Sequence, residues 1–315
     1  MAKQSGLGDN FYIGGYDLSG DVSSIGKISA PLALLEATGI KQFAEQRLAG
    51  RRDGNMQFTT LFNSTGTTAT PAFPASNTPV TNPNGWAVFV TITGGTLTAV
   101  KVNGTQVGTT AGTYVVPAGQ TISVTYTAAP TWNWVGVLAE HNALSSLPRT
   151  DTFATYFRGN AVGNPAASVK GVLINYDGTR DNDGNLTFQA EVDSDGFGAE
   201  WGVMLTAGLR ADTVPTTGTS RDDGALSNFG AQAYLQLTAL VGTNVDVKIE
   251  HSSDNTTFTT LIDFGSLTVP NQAARGSVSN TTLVNRYVRV TTTGTFTYAQ
   301  FAVQFCRNPV AGVVF

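Results

Sequence analysis

The 315-residue chain has little of what catalytic and metal-binding chemistry usually draws on: one cysteine, two histidines and three methionines. A single thiol, Cys306, excludes an intramolecular disulfide framework and any multi-cysteine zinc site. Charge is scarce too. Asp, Glu, Lys and Arg make up 13% of the residues, against roughly 25% in an ordinary globular domain. The net charge of −4 argues against a uniformly basic grip on nucleic acid. No run approaches the roughly 18 consecutive apolar residues of a membrane-spanning helix. The opening residues, Met1 to Gly8, lack the apolar stretch of a signal peptide, so a soluble protein made in a cytoplasm is expected.

What is abundant is threonine, at 45 residues, and glycine, at 35. Threonine is β-branched and suits a pleated, half-buried surface, while glycine punctuates turns. The composition therefore predicts an all-β protein, and the length allows two or three domains. The texture of the chain divides it into four segments. Residues 1–63 and 140–225 read as two parts of one split core. Residues 64–139 carry a single charge, Lys101, and read as an inserted small Ig-like β-sandwich. It opens on a linker-like stretch, Ser64 to Asn84, and has a hairpin turn at Asn103-Gly104. Residues 226–315 alternate, with Tyr234, Gln236 and Thr238 opposing Leu235, Leu237 and Ala239. That predicts a C-terminal antiparallel sandwich with one wet face. The best helix candidate runs from Lys41 to Leu48, closed by Gly50.

Catalytic constellations are missing. His141 and His251 sit in no nucleophile motif, and the chain has no Gly-x-Ser-x-Gly elbow. Gly20 with Gly26-Lys27 has the wrong spacing for a phosphate-binding loop, and Ile28 replaces its Ser or Thr. Gly6-Leu7-Gly8 lacks a third glycine, because Phe11 stands there. Neither catalytic residues, cofactor nor metal are expected. The most informative polar feature is acidic: 140–225 holds twelve acidic against six basic residues, with Asp177, Asp181, Asp183, Glu191, Asp193 and Asp195 clustered. Asp181-Asn182-Asp183-Gly184 imitates part of a calcium loop, but that register puts Thr179 first and Ala190 last, so the helix-loop-helix site is not met. Asp183-Gly184-Asn185-Leu186-Thr187-Phe188 also echoes Asp53-Gly54-Asn55-Met56-Gln57-Phe58. Arg47, Arg51 and Arg52 form the one basic knot, read as a solvated face or a subunit salt contact.

Several motifs resemble tail proteins of long-tailed actinobacterial phages. They are the opening Met1-Ala2-Lys3-Gln4-Ser5-Gly6-Leu7-Gly8-Asp9-Asn10, Gly15-Tyr16-Asp17-Leu18-Ser19-Gly20-Asp21, Arg52-Asp53-Gly54, Leu61-Phe62-Asn63, Ile174-Asn175-Tyr176-Asp177-Gly178-Thr179-Arg180, Glu200-Trp201-Gly202, and Arg286-Tyr287-Val288-Arg289-Val290. The resemblance covers most of 1–63 and 144–308. Members of that family pass almost directly from the Phe-Asn strand to a Leu-Pro segment, matched here by Leu147-Pro148, so the 64–139 block is a departure. The resemblance implies a tail-tube-like β core and a structural, non-enzymatic virion protein of the siphovirus tail. It implies the major tail (tail tube) protein, in rings of sixfold symmetry stacked into a conduit for genome ejection. The implied partners are copies of itself, the tape measure and other tail proteins, and DNA in transient non-specific contact with the lumen; no membrane is implied. On that reading Asp177, Asp181, Asp183, Asp193 and Asp195 are lumen-facing candidates. Phe11, Tyr12, Val313, Val314 and Phe315 are intersubunit candidates, and the insert projects outward. The alternative is a virion decoration or minor tail protein binding host-surface glycans, with Trp86, Trp132 and Trp134 as surface-binding aromatics.

Overall fold

The computed structural model describes residues 8–62, 70–82, 87–117, 120–136, 140–146 and 151–310. Trp86, Val313, Val314 and Phe315 lie outside the described residues. The protein is all-β, and α1 (Glu140–Ser146) is the one α-helix among the described residues. The first strands are β1 (Asn10–Ile13), β2 (Tyr16–Asp17), β3 (Val22–Ser29), β4 (Leu32–Glu36), β5 (Arg47–Arg52) and β6 (Asn55–Leu61). The insert contributes β7 (Val80–Thr81), β8 (Val88–Thr93), β9 (Thr96–Val102), β10 (Thr105–Gly108), β11 (Gly112–Val116), β12 (Thr121–Ala128) and β13 (Thr131–Gly136). After α1 come β14 (Asp151–Phe157), β15 (Pro165–Arg180), β16 (Leu186–Met204), β17 (Arg210–Asp212) and β18 (Arg221–Asp222). The chain closes with β19 (Ala231–Ser252), β20 (Thr259–Leu267), β21 (Gln272–Val278) and β22 (Tyr287–Arg307).

One sheet runs through both ends of the molecule in the order β2-β1-β14-β15-β16-β22-β19-β20. Its N-terminal half is built on the long β15–β16 hairpin. The hairpin turn is held by Asp181, whose carboxylate accepts from the Asn185 amide at 2.8 Å and from its side-chain Nδ2 at 2.9 Å. The two echoing sequence segments are neighbours: β6 lies antiparallel on β16, with Phe58 opposite Ala190 and Asn55 opposite Asp193. Each follows a turn into a strand whose apolar side chains enter one core, with Met56, Phe58, Ala190 and Val192 buried together. Gly54 is required at its turn because a Cβ there would fall 2.1 Å from the Ala199 amide nitrogen.

The N-terminal arm belongs to this core. Phe11 and Tyr12 are 2% and 0% exposed and pack on Phe58 and Phe157, at centroid distances of 4.4 and 5.5 Å. They are therefore not subunit-contact residues, contrary to the sequence expectation. Their alternation into the sheet, and the clamp of Asp9 on the Gly159 amide at 2.9 Å and on the Tyr156 hydroxyl, draw the arm inward.

The C-terminal half is the long antiparallel pair β19–β22, flanked by β21 along the first part of β19 and by β20 along the second. Strands β17 and β18 also pair with β22, so this unit begins upstream of residue 226. The expected wet face of β19 is dry over residues 231–240. Gln232, Tyr234, Gln236 and Thr238 are all buried, because that face meets the N-terminal core. Gln236 accepts from the Gly15 amide at 2.7 Å and donates to the Phe153 carbonyl at 2.8 Å and Thr155 Oγ1 at 3.0 Å. Gln304 donates to the Glu200 carbonyl at 2.8 Å, and the Ser168 hydroxyl donates to its Oε1 at 2.5 Å. Arg275 pairs with Glu200 at 3.0 Å, with side chains 6% and 1% exposed, and the Tyr234 hydroxyl donates to the same carboxylate. The two halves of this sheet thus meet through a hydrogen-bonded seam, since polar groups removed from water must find partners.

The insert is a small sandwich of two sheets, β10-β9-β12-β7 and β11-β8-β13. Its second edge draws on the stretch read as linker: Phe73 packs edge-on against Trp132 at 4.7 Å, and the Trp132 Nε1 donates to the Pro71 carbonyl at 2.8 Å. The sandwich core includes Ala239 of β19 and Tyr298 of β22, so the insert rests on the C-terminal unit.

The helix expected at Lys41–Leu48 does not form. Its residues divide between a turn and β5, which pairs with β4 so that Leu35 faces Leu48 and Glu36 faces Arg47. Thr38-Gly39 and Gly50 leave a helical run far shorter than the roughly 12 residues an isolated helix needs. Antiparallel pairing satisfies the same backbone groups locally.

Candidate assembly surfaces

The β4–β5 hairpin pairs with no other strand among the described residues. Leu32, Leu34, Leu35, Ile40, Phe43 and Leu48 are all exposed on it, Leu34 at 61% and Ile40 and Phe43 fully. Its tip is nonetheless ordered by side chains. Gln42 accepts from the Gly39 amide at 2.7 Å and donates to Gln46 Oε1 at 2.6 Å, while the Ala37 amide bonds the Gln46 carbonyl at 2.8 Å. At its root the Asp53 amide bonds the Pro31 carbonyl at 3.0 Å. A lone two-stranded hairpin is marginal in water, and a contiguous apolar surface on a folded protein marks a contact site. The basic knot Arg47, Arg51 and Arg52 sits on this arm, with Arg47 paired to Glu45.

The five carboxylates separate into two groups along the β15–β16 hairpin. Asp177, Asp181 and Asp183 are exposed towards its tip. Asp193 stands at its waist, where burial and the charges of Glu191 and Asp53 push its carboxyl above the ordinary range. Glu191 is held by Asn55 Nδ2 at 2.7 Å, and Asp53 accepts from the Ser194 hydroxyl at 3.1 Å. Asp195 lies beside Asp151, whose carboxyl Lys170 holds below its usual value from 2.6 Å. No group of three His, Cys, Asp or Glu among the described residues is arranged to hold a metal ion.

The remaining sequence candidates are occupied structurally. His141 Nδ1 lies 3.1 Å from the Tyr176 hydroxyl, within a ring cluster that includes Phe62 and Phe188 and fastens α1 to the long hairpin. His251 Nδ1 accepts from the Asn285 amide at 3.1 Å, and burial and then the Arg307 charge push its pKa down. The Cys306 thiol is buried and its pKa raised by desolvation. Trp134 is 3% exposed in the insert core and Trp132 is wedged between Phe73 and Trp134. These two tryptophans are anchors of a core and not surface platforms, because β13 turns both towards the opposing sheet.

Among the described residues, the exposed tryptophan is Trp201, at 53%. It borders a groove of about 490 Å³ together with Arg221, Asp223 and Arg307. Arg307 donates to Asp223 Oδ2 at 2.9 Å and to the Val284 and Asn285 carbonyls at 2.8 and 2.6 Å. Arg221 clasps the other oxygen of Asp223, and burial and the neighbouring Arg307 push its pKa down. Sequence alternation points the wrong way for Trp201: it sends the charged Glu200 outward and the indole inward, and the pairing of Glu200 with Arg275 in the interior reverses both.

No protein-family model and no curated protein matches the chain. Among solved structures, the Dit protein of phage SPP1 is similar over 95% of this chain and 99% of that one, at 7% identity and a TM-score of 0.29. That protein is described as a paradigm of the hub adsorption apparatus in phages infecting Gram-positive bacteria. No helix among the described residues is long and apolar enough to cross a membrane.

Proposed function

We propose that this protein is a structural, non-enzymatic component of a phage tail, and specifically a subunit of the tail tube that self-assembles into stacked rings, with sixfold symmetry as the expected order. The observation that carries the reading is the β4–β5 arm, a preordered hairpin with apolar side chains on its exposed surface. Such a surface is stabilised when a neighbouring subunit covers it, and a heterologous contact repeated from subunit to subunit forms a ring where its rotation closes. The motifs shared with actinobacteriophage tail proteins supply the biological setting: a virion, with the tape measure and the genome passing through the conduit. In this reading the carboxylates of the β15–β16 hairpin line the lumen and keep DNA phosphates from adhering.

Purified full-length protein examined by light scattering and negative-stain electron microscopy tests this directly. Rings or tubes with a central channel are expected, and a monodisperse monomer at high concentration overturns the proposal. In assembled tubes, a gold-maleimide label at Asp183→Cys is expected to be shielded from the outside. Decoration of the outer wall overturns the lumen assignment alone.

A further inference from the structure

The groove beside Trp201 is not used by any contact described so far. Its polar wall is preorganised: Asp223 is gripped from both sides by Arg221 and Arg307, and Arg307 is further fixed by two carbonyls. Two guanidiniums against one carboxylate leave one surplus positive charge. Gly163, at φ 90°, keeps the space beside Arg221 clear, since a Cβ there would stand 3.1 Å from its Nε. The half-exposed indole of Trp201 lines the same groove. Gly202 lets the strand lie flush behind it, because a Cβ at 202 would fall 2.3 Å from the Phe305 carbonyl oxygen.

We propose that this groove binds an acidic saccharide. The indole offers a flat apolar face to the C–H face of a pyranose ring, and the Arg221 guanidinium offers planar donors matched to a ring carboxylate. The volume suits one or two sugar rings and falls in the range of small-ligand clefts. A nucleic acid fits less well. Such ligands need a basic stripe along their backbone, and Asp223 sits in the middle of this site.

The test uses the full-length protein titrated with a tetrasaccharide of alternating glucuronic acid and N-acetylglucosamine, followed by calorimetry and by the indole N–H resonances. Parallel titrations use neutral chitotetraose and the dinucleotide pTpT. The acidic tetrasaccharide is expected to bind and to shift the Trp201 resonance. Affinity is expected to fall about tenfold in Trp201→Ala, consistent with loss of one stacked ring. It should also fall in Arg221→Gln, which leaves Asp223 paired with Arg307, and on raising salt. Trp201 is exposed, so its removal leaves the fold intact, and unchanged circular dichroism checks this. Binding that survives Trp201→Ala, preference for chitotetraose or pTpT, or no binding by any probe overturns the proposal. So does a Trp201→Ala variant that loses self-assembly while the parent binds no saccharide, which makes the indole a subunit contact. Binding is read whether or not the protein assembles, so the outcome is separable from the tube reading.

Discussion

The first ten residues of β19 and the β4–β5 hairpin invert each other. One buries Gln232, Tyr234, Gln236 and Thr238; the other exposes Leu32, Leu34, Leu35 and Leu48. Residue polarity does not by itself decide which face of a strand is dry. What decides is the surface opposite. The polar face of β19 meets β14 and the β1–β2 turn, where Thr155, the Phe153 carbonyl and the Gly15 amide complete its hydrogen bonds. The leucines exposed on both faces of the hairpin have no such counterpart among the described residues, and the same logic asks for one in another copy.

That contrast is broken most severely at Glu200. Replacing it with alanine leaves Arg275 buried without its counter-charge, and equilibrium denaturation should show a loss of about 3–5 kcal/mol. Tyr234→Phe, which keeps the ion pair, should cost nearer 1 kcal/mol. Gln236→Ala is expected to cost about 1–3 kcal/mol, because it strands the buried Gly15 amide, while the Phe153 carbonyl keeps its bond from the Gly14 amide. If Glu200→Ala and Gln236→Ala both unfold at the parental denaturant concentration, the seam is not what joins the two halves. At the hairpin the expected outcome is opposite: the double variant Leu34→Asp/Phe43→Asp should change unfolding by no more than about 0.5 kcal/mol while abolishing ring formation in light scattering. A variant that still assembles removes the hairpin from the interface. The smallest effect is a pH dependence. His251 is held neutral in the fold, with its pKa below the ordinary 6.5, so the unfolded chain binds more protons between the two values. Its contribution is complete above about pH 6.5 and is lost as pH falls towards the lower, folded value. Thermal melts across that window should flatten in His251→Gln.

Much of this architecture was readable in the chain, and the failures have identifiable causes. The period-two pattern of Val245, Val247 and Ile249, and of Val288 and Val290, marks strands whose inward residues do form the C-terminal core. The change of texture after Asn63 marks the insert, although Phe73 already belongs to it. The helix expected at Lys41–Leu48 fails because Ala, Leu, Glu and Gln favour helices only weakly, and pairing with β4 across a short hairpin outweighs that preference. The wet face assigned to β19 failed because alternation separates polar from apolar without distinguishing water from Thr155 and Ser168. The same blindness hid Phe11, Tyr12 and Trp134 in cores and left Trp201 unnoticed at a surface. Aromatic residues suit either setting, and only long-range pairing between β15, β16 and β22 decides.

The seating of the insert has a mechanical consequence. The chain leaves the N-terminal half after Leu61 and returns to it through α1, yet the sandwich shares its core with Ala239 and Tyr298, which belong to the longest antiparallel pair among the described residues. A lateral pull on the insert is therefore borne in part by the β19–β22 ladder, and not by its two connecting peptides alone. The domain that interrupts the sequence is thus mounted as a braced lever, with its load path running through the β19–β22 ladder.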